Sequence, residues 1–109
     1  MATSVLIVHT NPLEGREDEY NEWYNNTHLK DVTAVPGFVR ARRFKLSDSQ
    51  MRPFGQFDYV AIYEIDGDPA PAIAALKEAT AAGMYISEAM SQELHATVYE
   101  SVTDWVSAN

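Results

Sequence analysis

The stretch YNEWYNNTHLKDVTAV (20–35) carries a helical hydrophobic period. Pro36-Gly37 cuts it off just before FVRARRFKL (38–46), where the period becomes two. A proline drives the residue before it out of the α region, so the helix has to stop and the chain has to turn there. A helix that feeds a strand across a two-residue break must pack beside the sheet it enters, which restricts the architecture severely. Upstream, Val5 to Thr10 is a short β-branched apolar run ending at Asn11-Pro12, which predicts a buried strand and a turn. The helix begins at Gly15 or Arg16 and reaches Val35. Downstream, SDSQMRPFGQ (47–56) reads as a loop and FDYVAIYEI (57–65) as the second strand of a pair, closed by DGDP. Asp68 before Pro69 supplies an N-cap and first-turn residue for a second helix, with Ile73, Leu76 and Ala79 or Thr80 at helical spacing. Gly83 ends it, MYISEAMSQ (84–92) is a short helical or irregular link, and Leu94 to Val106 returns to period two as a final strand.

This order, β-α-β-β-α-β, is the ferredoxin-like unit: an α+β fold with a four-stranded antiparallel sheet and two helices on one face. With 109 residues the chain forms one domain, burying ~65% of its unfolded surface. In the third strand Phe57, Tyr59, Ala61, Tyr63 and Ile65 point one way, and Val60 and Ile62 the other. In the last, Val98 and Val102 oppose Thr97 and Tyr99. Both sheet faces are therefore apolar, and helices on one side leave the other in water. Two sheets packed face to face remove that problem, so a homodimer is expected.

Composition narrows the partners. The net charge of −8 argues against nucleic acid. The acids Glu14, Glu17, Asp18, Glu19 and Glu22 gather at the start of the first helix, where they match its dipole. No cysteine is present, which excludes disulfides and thiolate chemistry and suits a reducing cytoplasm. The N-terminus lacks the charged and long apolar regions of a signal peptide, and no apolar run is long enough for a membrane span. A cytoplasmic protein with no membrane or metal partner is expected.

On a helical wheel Tyr20, Asp31, Tyr24, Val35 and His28 share an arc roughly 80° wide, widened by Trp23, Ala34 and Thr27 on one side and Val32 on the other. His28 and Asp31 are three residues apart, so their side chains can meet. An imidazole held by a carboxylate has a fixed tautomer and a raised proton affinity, the arrangement of a general base. Tyr20 and Tyr24, one turn away, offer phenol donors to a bound oxygen. The plainer alternative makes His28 a satisfied core residue and Asp31 a partner of the Pro-Gly turn.

EYNEWYNNTHLKDVTAVPGFVRARRF, with a strand before it, resembles the dimeric α/β-barrel superfamily, in particular EthD-like proteins. Trp23, His28 five residues on, and Pro36-Gly37 leading into a strand carry the likeness, which spans roughly residues 4 to 46. The resemblance implies a ferredoxin-like protomer whose sheet packs on its partner's, with a pocket between sheet and helices. Such proteins include cofactor-free cyclases, lactone isomerases, decarboxylases, quinone-forming monooxygenases and haem-degrading enzymes. The superfamily's helix histidine corresponds by position to His28, while Asp31 has no secure counterpart.

Other residues divide between packing and function. His9 ends the first strand, where it either stands beside His28 at a pocket mouth or is structural. His95, opening the last strand, is more readily structural, and the three histidines form a poor metal set. Arg40, Arg42, Arg43 and Lys45 make up half of the eight basic residues. They protect an edge strand from pairing, or one of them, such as Arg43, reaches the pocket to hold a carboxylate. Tyr59 and Tyr63 pack on the sheet or, if they face the helices, line the pocket with Trp23. The expected function is cofactor-independent acid–base chemistry on an aromatic or conjugated carbonyl compound: isomerisation, cyclisation, dehydration or a lyase reaction. His28 and Asp31 would act and tyrosines would hold an oxyanion. The alternatives are a non-catalytic binding protein for a hydrophobic metabolite and, behind it, a haem-binding monooxygenase. RPFGQFDYVAIY (52–63) faintly resembles an RNA-recognition strand, but its spacing and the protein's charge oppose that reading.

Overall fold

A computed structural model of the protein describes residues 3–53 and 55–108. In chain order it contains β1 (Thr3–Thr10), α1 (Glu17–Trp23), a π-helical turn (Tyr24–His28), α2 (Leu29–Thr33), β2 (Phe38–Lys45), β3 (Tyr59–Asp66), α3 (Pro69–Ala81) and β4 (His95–Glu100). The first three helical pieces run on continuously, because the residues at their junctions, Tyr24 and Leu29, keep right-handed helical dihedrals. The strands form one sheet in the order β2-β3-β1-β4, every neighbouring pair antiparallel. This is the ferredoxin-like α+β arrangement expected from the order of periodicities.

Strand alternation decides which side chains meet the helices. From β1, Ser4, Leu6 and Thr10 are buried on the helical side; from β3, Tyr59, Ala61, Tyr63 and Ile65. Tyr20, Trp23, Tyr24, Val32, Val35 and Ala72 close over them in a single core. Each fully buried aliphatic side chain such as Ile65 contributes about 1.5–3 kcal/mol. Asp68 caps α3 as the sequence predicts, its carboxylate accepting from the Ala70 amide at 3.0 Å with Pro69 in the first turn. α3 is alanine-rich and lies close to the start of β2: a Cβ on Gly37 would stand 2.7 Å from the Ala72 Cβ, and Gly37 has a φ of +97°. The Pro-Gly pair thus stops one helix and makes room for the other.

The opposite sheet face bears Val5, Ile7, Val60, Ile62, Phe44 and Tyr99, and among the described residues no helix or further strand covers it. Phe44 and Tyr99 are exposed there, Arg42 lies 5.6 Å from the Phe44 ring, and Arg40 pairs with Glu64. Among the described residues no helix is long and apolar enough to cross a membrane.

Two sequence expectations shift, and the alternation of β2 is broken once. The third strand starts at Tyr59, not Phe57, whose ring packs on His9 at 5.9 Å and His95 at 5.0 Å. The final strand ends at Glu100 rather than Val106, because its partner β1 begins at Thr3 and the last ladder bond joins the Ser101 amide to the Thr3 carbonyl. Beyond it Val102, Trp105 and Val106 are exposed. Finally, a bulge between Phe38 and Arg40 slips the pairing by one residue. Phe38 consequently shares the helical side with Ala41 and Arg43, while Val39 is exposed and Arg40 and Arg42 face the open side.

Candidate functional site

The π-helical turn determines what the first helix presents. Before it, Tyr20, Trp23 and Tyr24 are buried; after it, Val32 and Val35 are. A regular α-helix would carry the buried stripe through Asp31, but the wider turn absorbs an extra residue and puts Val32 in that position. Asp31 is left partly exposed at the flank. Such turns often mark functional sites. Here the turn holds Tyr24, Asn25 and His28.

These residues surround Arg43, which projects from β2 toward the helices. Its guanidinium carbon lies 4.2 Å from the Tyr24 ring centre, 5.0 Å from Tyr59 and 5.1 Å from Tyr20. Its Nη1 donates to the Asn25 Oδ1 at 2.7 Å. Its Nε and Nη2 are buried without a hydrogen-bond partner. The tyrosines are themselves ordered by neighbours. Tyr20 shares a 2.5 Å hydrogen bond with the Thr10 hydroxyl and meets Tyr24 edge-on at 5.6 Å. The Tyr59 hydroxyl donates to Glu17 and accepts from the Asn21 amide at 3.1 Å. The Tyr63 hydroxyl is buried and has no partner.

His28 stacks on Trp23, with ring centres 4.6 Å apart and planes 26° from parallel, and meets Tyr24 edge-on at 5.0 Å. Its Nδ1 is buried and unpartnered, as is the Trp23 Nε1, so Asp31 does not grip the imidazole at that nitrogen. The expected rise in proton affinity is reversed. Burial pushes His28 down to about 4; the Asp31 charge works upward but loses, and Arg43 pushes down again. Burial likewise raises the phenols of Tyr20, Tyr24 and Tyr63, with Arg43 opposing the shift in each. Near neutral pH the imidazole is uncharged and these phenols are donors, grouped about the Arg43 cation. Among the described residues the ion pairs within 4.0 Å join Arg16 to Glu19, Arg40 to Glu64 and Lys45 to Glu17, and none includes Arg43.

The structure thus brings together Tyr20, Trp23, Tyr24, His28, Arg43, Tyr59 and Tyr63, and sets Asp31 beside them. It separates His9. Period two turns His9 to the open sheet face, opposite His95 and against Phe57, where it lines a cleft of about 320 Å³ at the end of the sheet. Thr10 and Asn25 are site residues that the sequence reading missed. Thr10 shares strand parity with Leu6, a usable signal. Asn25 had none, since only the wider helical turn brings it to Arg43.

No protein-family model matches the sequence, and no curated protein does. Solved structures match its fold. The haem degrader MhuD from Mycobacterium tuberculosis, solved with two haems in its active site, aligns at a TM-score of 0.66 and 18% identity over 94% of this chain and 99% of its own. An EthD (ethyl tert-butyl ether D) family protein from Bacillus halodurans aligns at 0.64 and 17% identity over 94% and 100%. SnoaB, a cofactor-independent oxygenase from Streptomyces nogalater, aligns at 0.56 and 19% identity over 94% and 95%. The arrangement of elements and its near-complete overlap with these structures show that the chain shares their ferredoxin-like fold.

Proposed function

We propose that the protein is a cofactor-independent enzyme that performs acid–base chemistry on an aromatic or conjugated carbonyl compound bound between the sheet and the first helix. The observation that carries this reading is an imidazole and a guanidinium with unpartnered buried nitrogens, and no carboxylate on the guanidinium, in one aromatic cluster among the described residues. His28 is free to take a proton at neutral pH, and Arg43 with the Tyr63 hydroxyl can stabilise the oxyanion that proton loss leaves behind. A developing substrate anion beside His28 also raises its proton affinity, so the base strengthens as the reaction proceeds. Asp31 contributes charge through space in the same direction. Isomerisation, cyclisation, dehydration and carbon–carbon cleavage can each begin with such a step. The likeness in fold to a cofactor-independent oxygenase is consistent with chemistry that needs no bound cofactor. The uncovered sheet face supports a homodimer as the working unit.

Thermal unfolding of wild type and His28→Ala against aromatic acids, lactones and phenolic ketones tests this reading. A ligand that raises the wild-type midpoint, leaves the variant unmoved and is turned over by wild type alone supports it. No ligand effect on either protein, with a midpoint several degrees lower in the variant, makes His28 a packing residue. Haem binding is a second reading, favoured by the likeness in fold to the haem degrader and by the unprotonated His28 ring. The cluster fits a macrocycle poorly. The His28 ring is already packed within the cluster, stacked on Trp23 and edge-on to Tyr24. A haem titration that produces a histidine-ligated Soret band, lost in His28→Ala, would favour it.

A further inference from the structure

We infer that the substrate of this site is a planar acid whose carboxylate is gripped side-on by Nε–H and Nη2–H of Arg43; the inference rests on reading the arginine–tyrosine cluster as the binding site. A guanidinium offers five N–H donors in a rigid plane. In Arg43 the Nη1 is committed to Asn25, whereas Nε and Nη2 are buried and unpartnered. These two nitrogens share one edge of the plane, and that edge makes two parallel hydrogen bonds to the paired oxygens of a carboxylate. The rings of Tyr24, Tyr59 and Tyr20 gather about the guanidinium carbon, and the Nε–Nη2 edge is the part of the ion left without a polar partner to receive an anion.

Charge leads to the same class of ligand. Arg43 is half-buried, with Nε and Nη2 fully so; such a cation is stabilised by pairing, and no carboxylate lies within 4.0 Å of it among the described residues. The tyrosine faces soften that penalty without neutralising the charge. The unpartnered Tyr63 hydroxyl supplies a further donor within the field of the same guanidinium. An uncharged carboxamide of the same shape sets its own N–H against one of the two Arg43 donors, so a site built this way rejects it strongly. Trp23, Tyr24 and His28 provide the aromatic surface that selects a flat ring beside the acid.

The test uses calorimetric binding and thermal shifts of the intact protein with benzoate and naphthoate, against benzamide and naphthamide. Wild type, Arg43→Lys, Arg43→Gln and Asn25→Ala are compared. The acids should bind wild type at least about tenfold tighter than their amides. Arg43→Lys should lose about tenfold or more for the acids although it keeps the charge, because an ammonium cannot form the fork. Asn25→Ala should lose less, since it frees the guanidinium without removing it. Arg43→Gln should lose the preference for acids over amides, because the fork that receives the carboxylate has gone. Equal affinity for acids and amides, undiminished acid binding by Arg43→Lys, or no acid binding by wild type overturns the inference. His28→Ala keeps it distinct from the acid–base reading. If that variant still prefers acids and also retains full turnover, the proposed chemistry falls while the carboxylate site stands.

Discussion

The depressed proton affinity of His28 makes stability depend on pH in a defined direction. An unfolded chain carries this histidine at an ordinary value of 6.5, whereas burial holds it at about 4 in the folded protein. Between those values the unfolded state binds more protons, so stability must fall as pH falls through the window. The contribution is fully present above the unfolded value and fully lost below the folded one. Each unit of difference corresponds to 1.36 kcal/mol, which makes the whole effect about 3 kcal/mol, trimmed toward about 2 by the ring's partial exposure. Urea unfolding of wild type and His28→Gln, followed by tryptophan fluorescence from about pH 7 to about pH 4, isolates it. Protomer concentration must be held fixed, because association adds to apparent stability. Losing the stack on Trp23 offsets the variant by a constant, so the pH dependence of the difference between the proteins reports the proton alone. Wild type should lose about 2–3 kcal/mol more than the variant across the window. A difference that varies by less than about 0.5 kcal/mol would mean that His28 titrates as a free imidazole, and the buried-base argument would collapse.

The other predictions test the geometry around the site. Asp31→Asn should lower the His28 proton affinity slightly further, because its charge works upward, and change stability by less than about 0.5 kcal/mol. Following the His28 ring by NMR across pH checks this, and a loss of about 2 kcal/mol would restore a direct His28–Asp31 bond. Gly37→Ala should cost about 2–4 kcal/mol in urea, from left-handed backbone strain plus the collision with Ala72, whereas Gly67→Ala, with a φ of +71° and open space around it, should cost about 1–2. Equal costs at both positions would refute the close approach of α3. Ile62→Glu on the uncovered face should yield a folded monomer by light scattering; an unchanged dimer would place the interface elsewhere.

The architecture was legible because it follows from local pattern. The change of period at Pro36-Gly37, the capped start of α3 at Asp68 and the alternation in β3 each act over a few residues, and together they fix the order of elements and the faces of the sheet. The same alternation brought Tyr59 and Tyr63 under the helices. The candidate site was legible in part. Trp23, Tyr24 and His28 lie on the inward side of the helix in the sequence and in the structure alike.

Tertiary structure decided what three small departures from regularity do. A π-helical turn placed Val32 rather than Asp31 in the core and brought Asn25 to Arg43. A bulge after Phe38 set Phe38 beside Arg43 on the helical side and left Val39 exposed. The end of the β1 ladder cut the last strand short at Glu100. Each reflects packing and pairing between segments far apart in the chain, which a repeating pattern along one segment does not contain. The charge state of His28 belongs with them. Three residues' spacing brings a carboxylate near it, but burial beneath Trp23 and Tyr24 outweighs that neighbour, because desolvation acts from every side and Asp31 from one.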